Sequence, residues 1–582
     1  RNAPPDIDLD IDSRERDRVV AHVREVFGRE RVASVAAYNT VRGKSLLRDF
    51  GPVFDLPPEA VEIAAKSLRN VNAHQLGEAF DNLPQLRDAG LTREPFEPII
   101  ELGRRISRFP SHNQTTVGVV IGGIPLARVS PLWPAAKDGE AAVSYDKDWV
   151  EKVGLIKTDF LFLRELAAIR DCVKSLRECP TAPVALDYDR IPLDDKATWA
   201  LLSSGQTIGV FQLESPAQRV LMQRIKPSHI SDCVAAVALI RPGPITGNAV
   251  DPFVLRRTGR EPVVYPDDRL KPVLEETLGV VIYQDQVIEL AIAAAGWSPD
   301  RADQLRRRIS HARSKDKMRG IQEEFTAAVV ENGFTEDVAL WCFRSILGFA
   351  SYGFCHAHAA AFGETAYKSA WLLAHYPAHY LMGVMNNFPM AYYPLRTVVS
   401  EARRRGIKVL GPDINRSSAD DRANHSTIRA GLKHVNGIKK RTLDAIETAR
   451  AEGPFVSTAD FCIRVPASRD EVESLALAGA FDRLHPNRKA VLRGAERLTR
   501  EGADRRAFPG LNMGASPLPN ARDFTPYEKS LRELATLGFC AGPDPMAFHR
   551  EQLRRVGVQT CAEALAARPG HRVLVAGWRT RA

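Results

Sequence analysis

From Asp6 to Asp12 acidic and aliphatic residues alternate without a break, as Asp6-Ile7-Asp8-Leu9-Asp10-Ile11-Asp12. Successive side chains of an extended strand point to opposite faces. The pattern therefore predicts a strand with Asp6, Asp8, Asp10 and Asp12 on one face and Ile7, Leu9 and Ile11 on the other. The aliphatic face is expected to pack on a core. The acidic face is expected to hold cations, because several like charges cannot be buried without partners. Hard divalent ions that prefer oxygen ligands, Mg²⁺ above all, suit it. Taken alone, the motif reads equally as a solvated edge strand whose acids discourage aggregation.

Helical periodicity follows over Arg14 to Phe27, with Val19, Val20, Val23, Val26 and Phe27 on the apolar stripe. Residues 38–110 predict short helices broken at Pro57-Pro58, Pro84, Pro95 and Pro98. Apolar runs predict strands over 118–126, 142–146 and 153–160. Residues 187–210 predict a turn, a helix and a strand that ends in Gly209-Val210-Phe211-Gln212-Leu213-Glu214-Ser215. From there to about 410 the chain reads as mainly helical, interrupted at Arg241-Pro242-Gly243-Pro244 and Tyr352-Gly353-Phe354. Gly431 to Ile438, before a helix, has the form of a hairpin whose backbone amides can approach a phosphate; an ordinary helical hairpin remains open. Residues 494–525 predict a surface linker, 526–550 a further helix, and Val573 to Trp578 a strand. The chain starts at Arg1 and stops in that strand, which reads as a piece cut at both ends.

Its 582 residues predict several domains. A net charge of +9 is modest for this length and compatible with a polyanionic partner only if clustered. The eight cysteines, 172, 179, 233, 342, 355, 462, 540 and 561, form no CxxC pair, so neither a zinc ribbon nor a disulfide framework is indicated. No apolar run is long enough to span a membrane, and reduced thiols in a cytoplasmic protein are expected.

Two further features change the reading of the acidic strand. The predicted strand over 153–160 carries Lys157 and Asp159 two residues apart, hence on one face. Alone this is an internal ion pair or a third metal carboxylate beside a cation. Arg306-Arg307-Arg308 ends a predicted helix starting near Pro299, and arginine forks match phosphate oxygens; a solvated basic helix end is the plainer reading. His356-x-His358 lacks a third ligand nearby, which favours phosphate or base contacts over metal. Acids and basic helices together suit phosphoryl transfer, in which two cations hold the attacking and leaving oxygens.

The colinear segments PPDIDLDID, GLIKTDFL, GVFQLES, ALIRPGP, KPVLEETLGVVIYQDQV, ADQLRRR, YGFCHAHAAAF, KSAWLLAHYP, GPDINRS and GLKHVNGIKK resemble the alpha subunit of bacterial DNA polymerase III, from residue 1 to about 580. The resemblance implies an α/β, mostly helical multidomain chain with a polymerase-beta-like nucleotidyltransferase palm and helical thumb and fingers. It implies palm at 1–37 and 115–164, thumb at 38–114, fingers at 165–411, a helix-hairpin-helix domain at 412–493, a linker at 494–525, and at 526–582 a helical segment opening a truncated OB-fold. Asp6, Asp8 and Asp159 would hold two Mg²⁺, with Lys157 beside them. Arg306, Arg307, Tyr352 and His358 would contact the incoming dNTP. Lys433, Asn436, Gly437, Lys439 and Lys440 would lie on the DNA. The implied reaction is 3′-hydroxyl attack on a dNTP at a primer–template, with a sliding clamp and other replisome or mutasome subunits as partners.

The sequence departs from the family pattern in four places. Asn113 to Val119 lacks a histidine and one glycine, Phe162 replaces a glycine, a lysine is missing from 352–358, and Ser310-His311-Ala312 replaces Gly-Lys-Lys. A catalytically decayed, DNA-binding scaffold is therefore the competing expectation. Pro4-Pro5-Asp6, 108–112 and 388–393 resemble the error-prone translesion branch more than the main replicase. No glutamine-led clamp motif stands out in 494–525.

Overall fold

The structure is a computed structural model. It describes residues 7–577 except 69–70, 108, 136–138, 180–185, 242–248, 312–314, 350–353, 391 and 509–516. It divides into two compact units, Arg1–Leu163 and Arg164–Ala582.

The first unit is built on a mixed six-stranded sheet. Its strands are β1 (Ile7–Asp12), β2 (Val32–Thr40), β3 (Pro110–Ile121), β4 (Leu132–Pro134), β5 (Ala141–Val143) and β6 (Ile156–Leu163), in the order β1-β6-β3-β2-β5-β4. β1 is an edge strand, parallel to β6, and β6 is antiparallel to β3. The helix Arg16–Phe27 covers one face, with Val20 packed among Val32, Val119 and Phe160. A second core, including Ala33, Val35, Val120 and Leu155, lies apart from it.

The predicted acidic strand is present, but only part of its aliphatic face is covered. Ile11 packs on the Val20 cluster, while Ile7 and Leu9 stay 37% and 45% exposed. The predicted strand at 118–126 is the end of a much longer one, and β2 and β4 fall where no strand was expected. β2, Val-Ala-Ser-Val-Ala-Ala-Tyr-Asn-Thr, is buried on both faces in its first half, so it lacks the alternation that marks a half-buried strand. Between β2 and β3 hangs a helical insert with its own core, in which Leu46, Leu76, Phe80 and Phe96 are buried. The Phe80 and Phe96 ring centroids lie 4.6 Å apart.

The second unit is mainly helical. A large cluster joins the helices Gln284–Ala295, Pro299–His311, Lys315–Glu331 and Glu336–Phe349. A small sheet follows, β7 (Lys408–Leu410), β9 (Thr427–Arg429) and β8 (Arg422–Asn424), in that order. Three expectations are corrected here. Residues 208–213 form turns, because their backbone is tied down locally, Val210 N–H to Thr207 O and Leu213 N–H to Val210 O. The expected linker begins inside the helix Arg488–Ala507, where Val491, Ala495 and Leu498 are buried. No strand forms over 571–577; Trp578 lies outside the described residues. Among the described residues no helix is long and apolar enough to cross a membrane.

One buried polar network locks the 207–214 loop. The Tyr380 hydroxyl lies 2.7 Å from Glu165 Oε1 and 2.6 Å from the Gly209 carbonyl. A hydroxyl carries one proton, and the carbonyl can only accept it, so the second bond requires a proton on Glu165. Burial raises the Glu165 carboxyl to about 8 from the usual value near 4.5. A carboxyl whose folded value exceeds its unfolded one stabilises the fold below the unfolded value and loses that contribution as pH rises through the folded one. Stability is expected to fall by a few kcal/mol between about pH 5 and pH 8, and Glu165→Gln to flatten the fall, as read from urea midpoints at both ends of the range.

Candidate active site

In a parallel pair, register partners share a face. β1 places Asp8 opposite Asp159 of β6, so the two carboxylates stand side by side on adjacent strands. Lys157, two residues before Asp159, lies on the same face, and its Nζ donates to Asp159 Oδ2 at 2.5 Å. The pair is mostly buried, at 14% and 22% side-chain exposure, and Asp8 is exposed. Asp6 lies outside the described residues. Among the described residues no group of three His, Cys, Asp or Glu comes together as a metal cluster. Asp12 serves the backbone instead. Its Oδ1 accepts from the Arg14 N–H at 2.9 Å and shapes the turn into the following helix.

Gly118 of β3 is the register partner of Asp159 from the other side. A Cβ there would stand 2.9 Å from Asp159 Oδ1, 3.1 Å from Thr116 Oγ1 and 3.3 Å from Lys157 Cδ. The missing side chain is what leaves room for the Asp159 carboxylate. Two carboxylates on one face, one in a cradle that a methyl group would fill, are hard oxygen donors in a space open to an ion. The residues fit a divalent cation. Gly118→Ala is expected to slow any metal-dependent reaction at this site by about 10–100-fold, the range for groups that orient a ligand, with little change in melting temperature. Rates and thermal melts of the same preparation check this.

In the second unit, Arg306 lies in the helix Pro299–His311, where Asp303 accepts from its Nε at 3.0 Å. Arg307 follows in the same helix, but its side chain lies outside what is described. Arg308 turns to Glu324 at 2.7 Å. Tyr352 lies outside the described residues. His358 opens the helix His356–His375, its ring 4.1 Å from Phe362 and 5.1 Å from Phe354. His356 Nε2 lies 3.2 Å from Glu276 Oε1.

The predicted hairpin forms as a short turn of 3₁₀ helix, Leu432–His434, then a turn at Gly437 with φ of 83°, then the helix Lys440–Ala451. Asn436, Gly437, Lys439 and Lys440 are exposed around that helix start. The Lys439 side chain does not cap it; Glu471 Oε1 accepts from the Lys439 N–H at 3.0 Å, and the Asn436 and Ile438 N–H groups donate to Thr536 O and Val435 O. The Lys433 Nζ donates to Asn386 O at 2.8 Å and Asp420 Oδ1 at 2.6 Å within the protein. One residue escaped sequence reasoning: Gly118 was visible only as a glycine in an altered segment.

Three family models match the chain. Residues 1–162 match the bacterial DNA polymerase III alpha NTPase domain, 165–333 the bacterial DNA polymerase III alpha subunit finger domain, and 406–491 a helix-hairpin-helix motif. The chain belongs to the bacterial DNA polymerase III alpha family. It is similar to the error-prone DNA polymerases of Symbiobacterium thermophilum (41% identity over 99% of this chain and 57% of that protein) and Anaeromyxobacter dehalogenans strain 2CP-1 (36%, 97% and 51%). That of Alkalilimnicola ehrlichii is 33% identical over 99% of this chain and 56% of its own length. The chain thus spans about half the length of the curated relatives it matches.

Proposed function

We propose that this chain carries the catalytic part of a DNA-directed DNA polymerase of the error-prone branch, which extends a primer 3′-hydroxyl with dNTPs and releases pyrophosphate. The observation that carries the reading is the pairing of Asp8 with Asp159 across β1 and β6, with Lys157 and Gly118 around Asp159.

In this reading the first unit is palm and thumb, the sheet being palm and the insert between Thr40 and Pro110 thumb. Residues 165–411 are fingers and the region around Gly437 faces duplex DNA. Asp8 and Asp159, with Asp6, hold two Mg²⁺ ions. Bound there, the ions lower the pKa of the attacking hydroxyl and offset charge on the triphosphate. Lys157 fixes the Asp159 carboxylate and keeps a positive charge beside the transferred phosphate. Arg306, Arg307, Tyr352 and His358 bind the triphosphate and sugar, orienting the α-phosphate for in-line attack. Asn436, Gly437, Lys439 and Lys440 contact backbone phosphates, so duplex binding is insensitive to sequence and weakens steeply with salt. A sliding clamp or other replisome or mutasome subunits complete the assembly, in the cytoplasm.

The test is extension of a labelled primer by the protein with four dNTPs and Mg²⁺, then with single wrong dNTPs and across an abasic site. A ladder of products with frequent misincorporation and bypass is expected. Tight duplex binding without any added nucleotide overturns the catalytic reading in favour of a scaffold. Accurate synthesis that stops at the lesion overturns the error-prone assignment.

A further inference from the structure

Against the loop locked by Glu165 and Tyr380 lies a cavity of about 910 Å³ in the second unit, to which the proposed mechanism gives no role. Its size falls within the roughly 300–1,000 Å³ of ligand sites. Its lining includes Phe211, Arg219, Arg241, Tyr392 and Tyr393, and among the described lining residues Glu214 is the single acid.

Glu214 is already engaged. Its Oε2 accepts from the Tyr393 hydroxyl at 2.5 Å and from the Gly209 N–H at 3.1 Å. Arg241 is in the opposite state. Its guanidinium lies over Phe354, 3.6 Å from the ring centroid, and among the described residues no carboxylate pairs with it. It is half-buried, and burial alone weakens its hold on its proton. A half-buried cation without an acid is costly, and an anion placed beside it recovers a charge-assisted bond. At the rim Tyr392 is 94% exposed, an aromatic ring with neither packing nor cover. The wall between is rigid. Gln212 holds a left-handed φ of 58°, and non-glycine residues in that region cluster where surrounding structure imposes them at ligand sites. The Phe211 N–H donates to Ser369 Oγ at 3.1 Å, and its ring packs on Phe362 at 4.8 Å. Phe362 in turn touches His358, so the cavity wall and the proposed nucleotide contact share one aromatic cluster.

We propose that this cavity binds an unpaired nucleotide of single-stranded DNA, with the base stacked on Tyr392 and its phosphate on Arg241. A free aromatic face and a cation lacking an acid are the two components of single-strand sites, and a duplex offers no free base face to such a ring. The inference rests on the polymerase reading for its biological setting, as the path of template ahead of the nascent pair. The binding chemistry stands without it. A free nucleotide offers the same base and phosphate, so the measurement separates the two sources.

The experiment is fluorescence anisotropy of the whole protein with labelled oligo-dT of about 20 nucleotides and with a blunt duplex of equal length. Tyr392→Ala, at a fully exposed position, is expected to weaken oligo-dT binding about tenfold and leave the duplex within about twofold. Arg241→Gln is expected to weaken oligo-dT binding and lower the salt slope by about one, with Arg241→Lys intermediate and thermal melts confirming the fold. Wild-type affinity for oligo-dT in both variants overturns the inference. Displacement of oligo-dT by micromolar dTTP overturns it in favour of a mononucleotide site. Should primer extension fail while these shifts appear, the polymerase reading falls and the single-strand site stands.

Discussion

Asp159→Asn is expected to lose primer extension by on the order of a thousandfold or more while binding a primer–template as tightly as the parent. Three contacts converge on this carboxylate: Asp8 across the parallel pair, Gly118 across the antiparallel pair, and the Lys157 ammonium at 2.5 Å. Changes to groups that merely support a metal ligand cost about 10–100-fold, and a direct ligand costs more. The asparagine keeps the shape in the Gly118 cradle, so the change is one of charge. Alanine would also take the Asp159 acceptor away from Lys157, 14% exposed, and empty the space beside Gly118, and would confuse a catalytic loss with a folding one. Single-turnover incorporation at rising Mg²⁺ is the measurement. Asp8→Asn should behave alike, whereas Asp12→Asn, which removes a charge but keeps an acceptor for the Arg14 N–H, should alter the rate by less than about tenfold. Extension by Asp159→Asn at close to the parent rate removes it from the metal site.

The largest stability effect is expected at Arg488. Its side chain is 7% exposed, and Nη2 bonds both Asp482 Oδ2 at 2.7 Å and Glu533 Oε1 at 2.8 Å. Nη1 reaches the Leu477 carbonyl at 3.2 Å. One guanidinium thus ties the end of the helix Arg469–Leu477 to the start of Arg488–Ala507 and to the middle of Pro526–Leu537. Glu533 is buried, and without the arginine its other oxygen still accepts from Ala541 and Gly542 N–H, so the charge would remain inside without its cation. Arg488→Met should destabilise this region by roughly 3–5 kcal/mol. Glu533→Gln in the same chain should recover part of that, because the uncompensated charge is removed. Urea midpoints and limited proteolysis after residue 464 read both. An unchanged midpoint in the single variant shows that the bridge contributes nothing.

The acidic strand was legible because its period is local: seven residues suffice to place four acids on one face. The face itself was legible, but its partner was not. That Asp8 meets Asp159 depends on pairing across about 150 intervening residues, and no periodicity encodes it. The basic helix was legible at its start, since a proline start and a clear stripe are also local signals, but it runs past the expected end at Arg308 to His311. β2 was not, because burial on both faces erased its alternation. The helix across the expected linker was missed for the opposite reason. Its arginines and glycines look like a solvated loop until Gly494 and Gly502 are seen as close approaches between packed segments, where a Cβ would stand 2.7 Å from Leu518 and 2.2 Å from the Cys462 carbonyl. Which cations are already paired was hidden for the same reason, since only tertiary neighbours bring Asp420 to Lys433 and the Phe354 ring to Arg241.

The helical insert enters the sheet at Thr40 and leaves it at Pro110, and these two residues are partners in the β2–β3 ladder. Entry and exit are therefore one strand spacing apart, about 5 Å. Its core, with Leu46, Phe80, Phe96 and Ile100, is separate from both clusters of the sheet. A module attached in this way can be exchanged, lengthened or shortened without altering the hairpin beneath it, since a short turn can close the same two strands. Evolution is thus free to vary the insert while the strands that carry Gly118 keep their register. On the polymerase reading proposed above, that would let grip on DNA change while the chemistry stays the same.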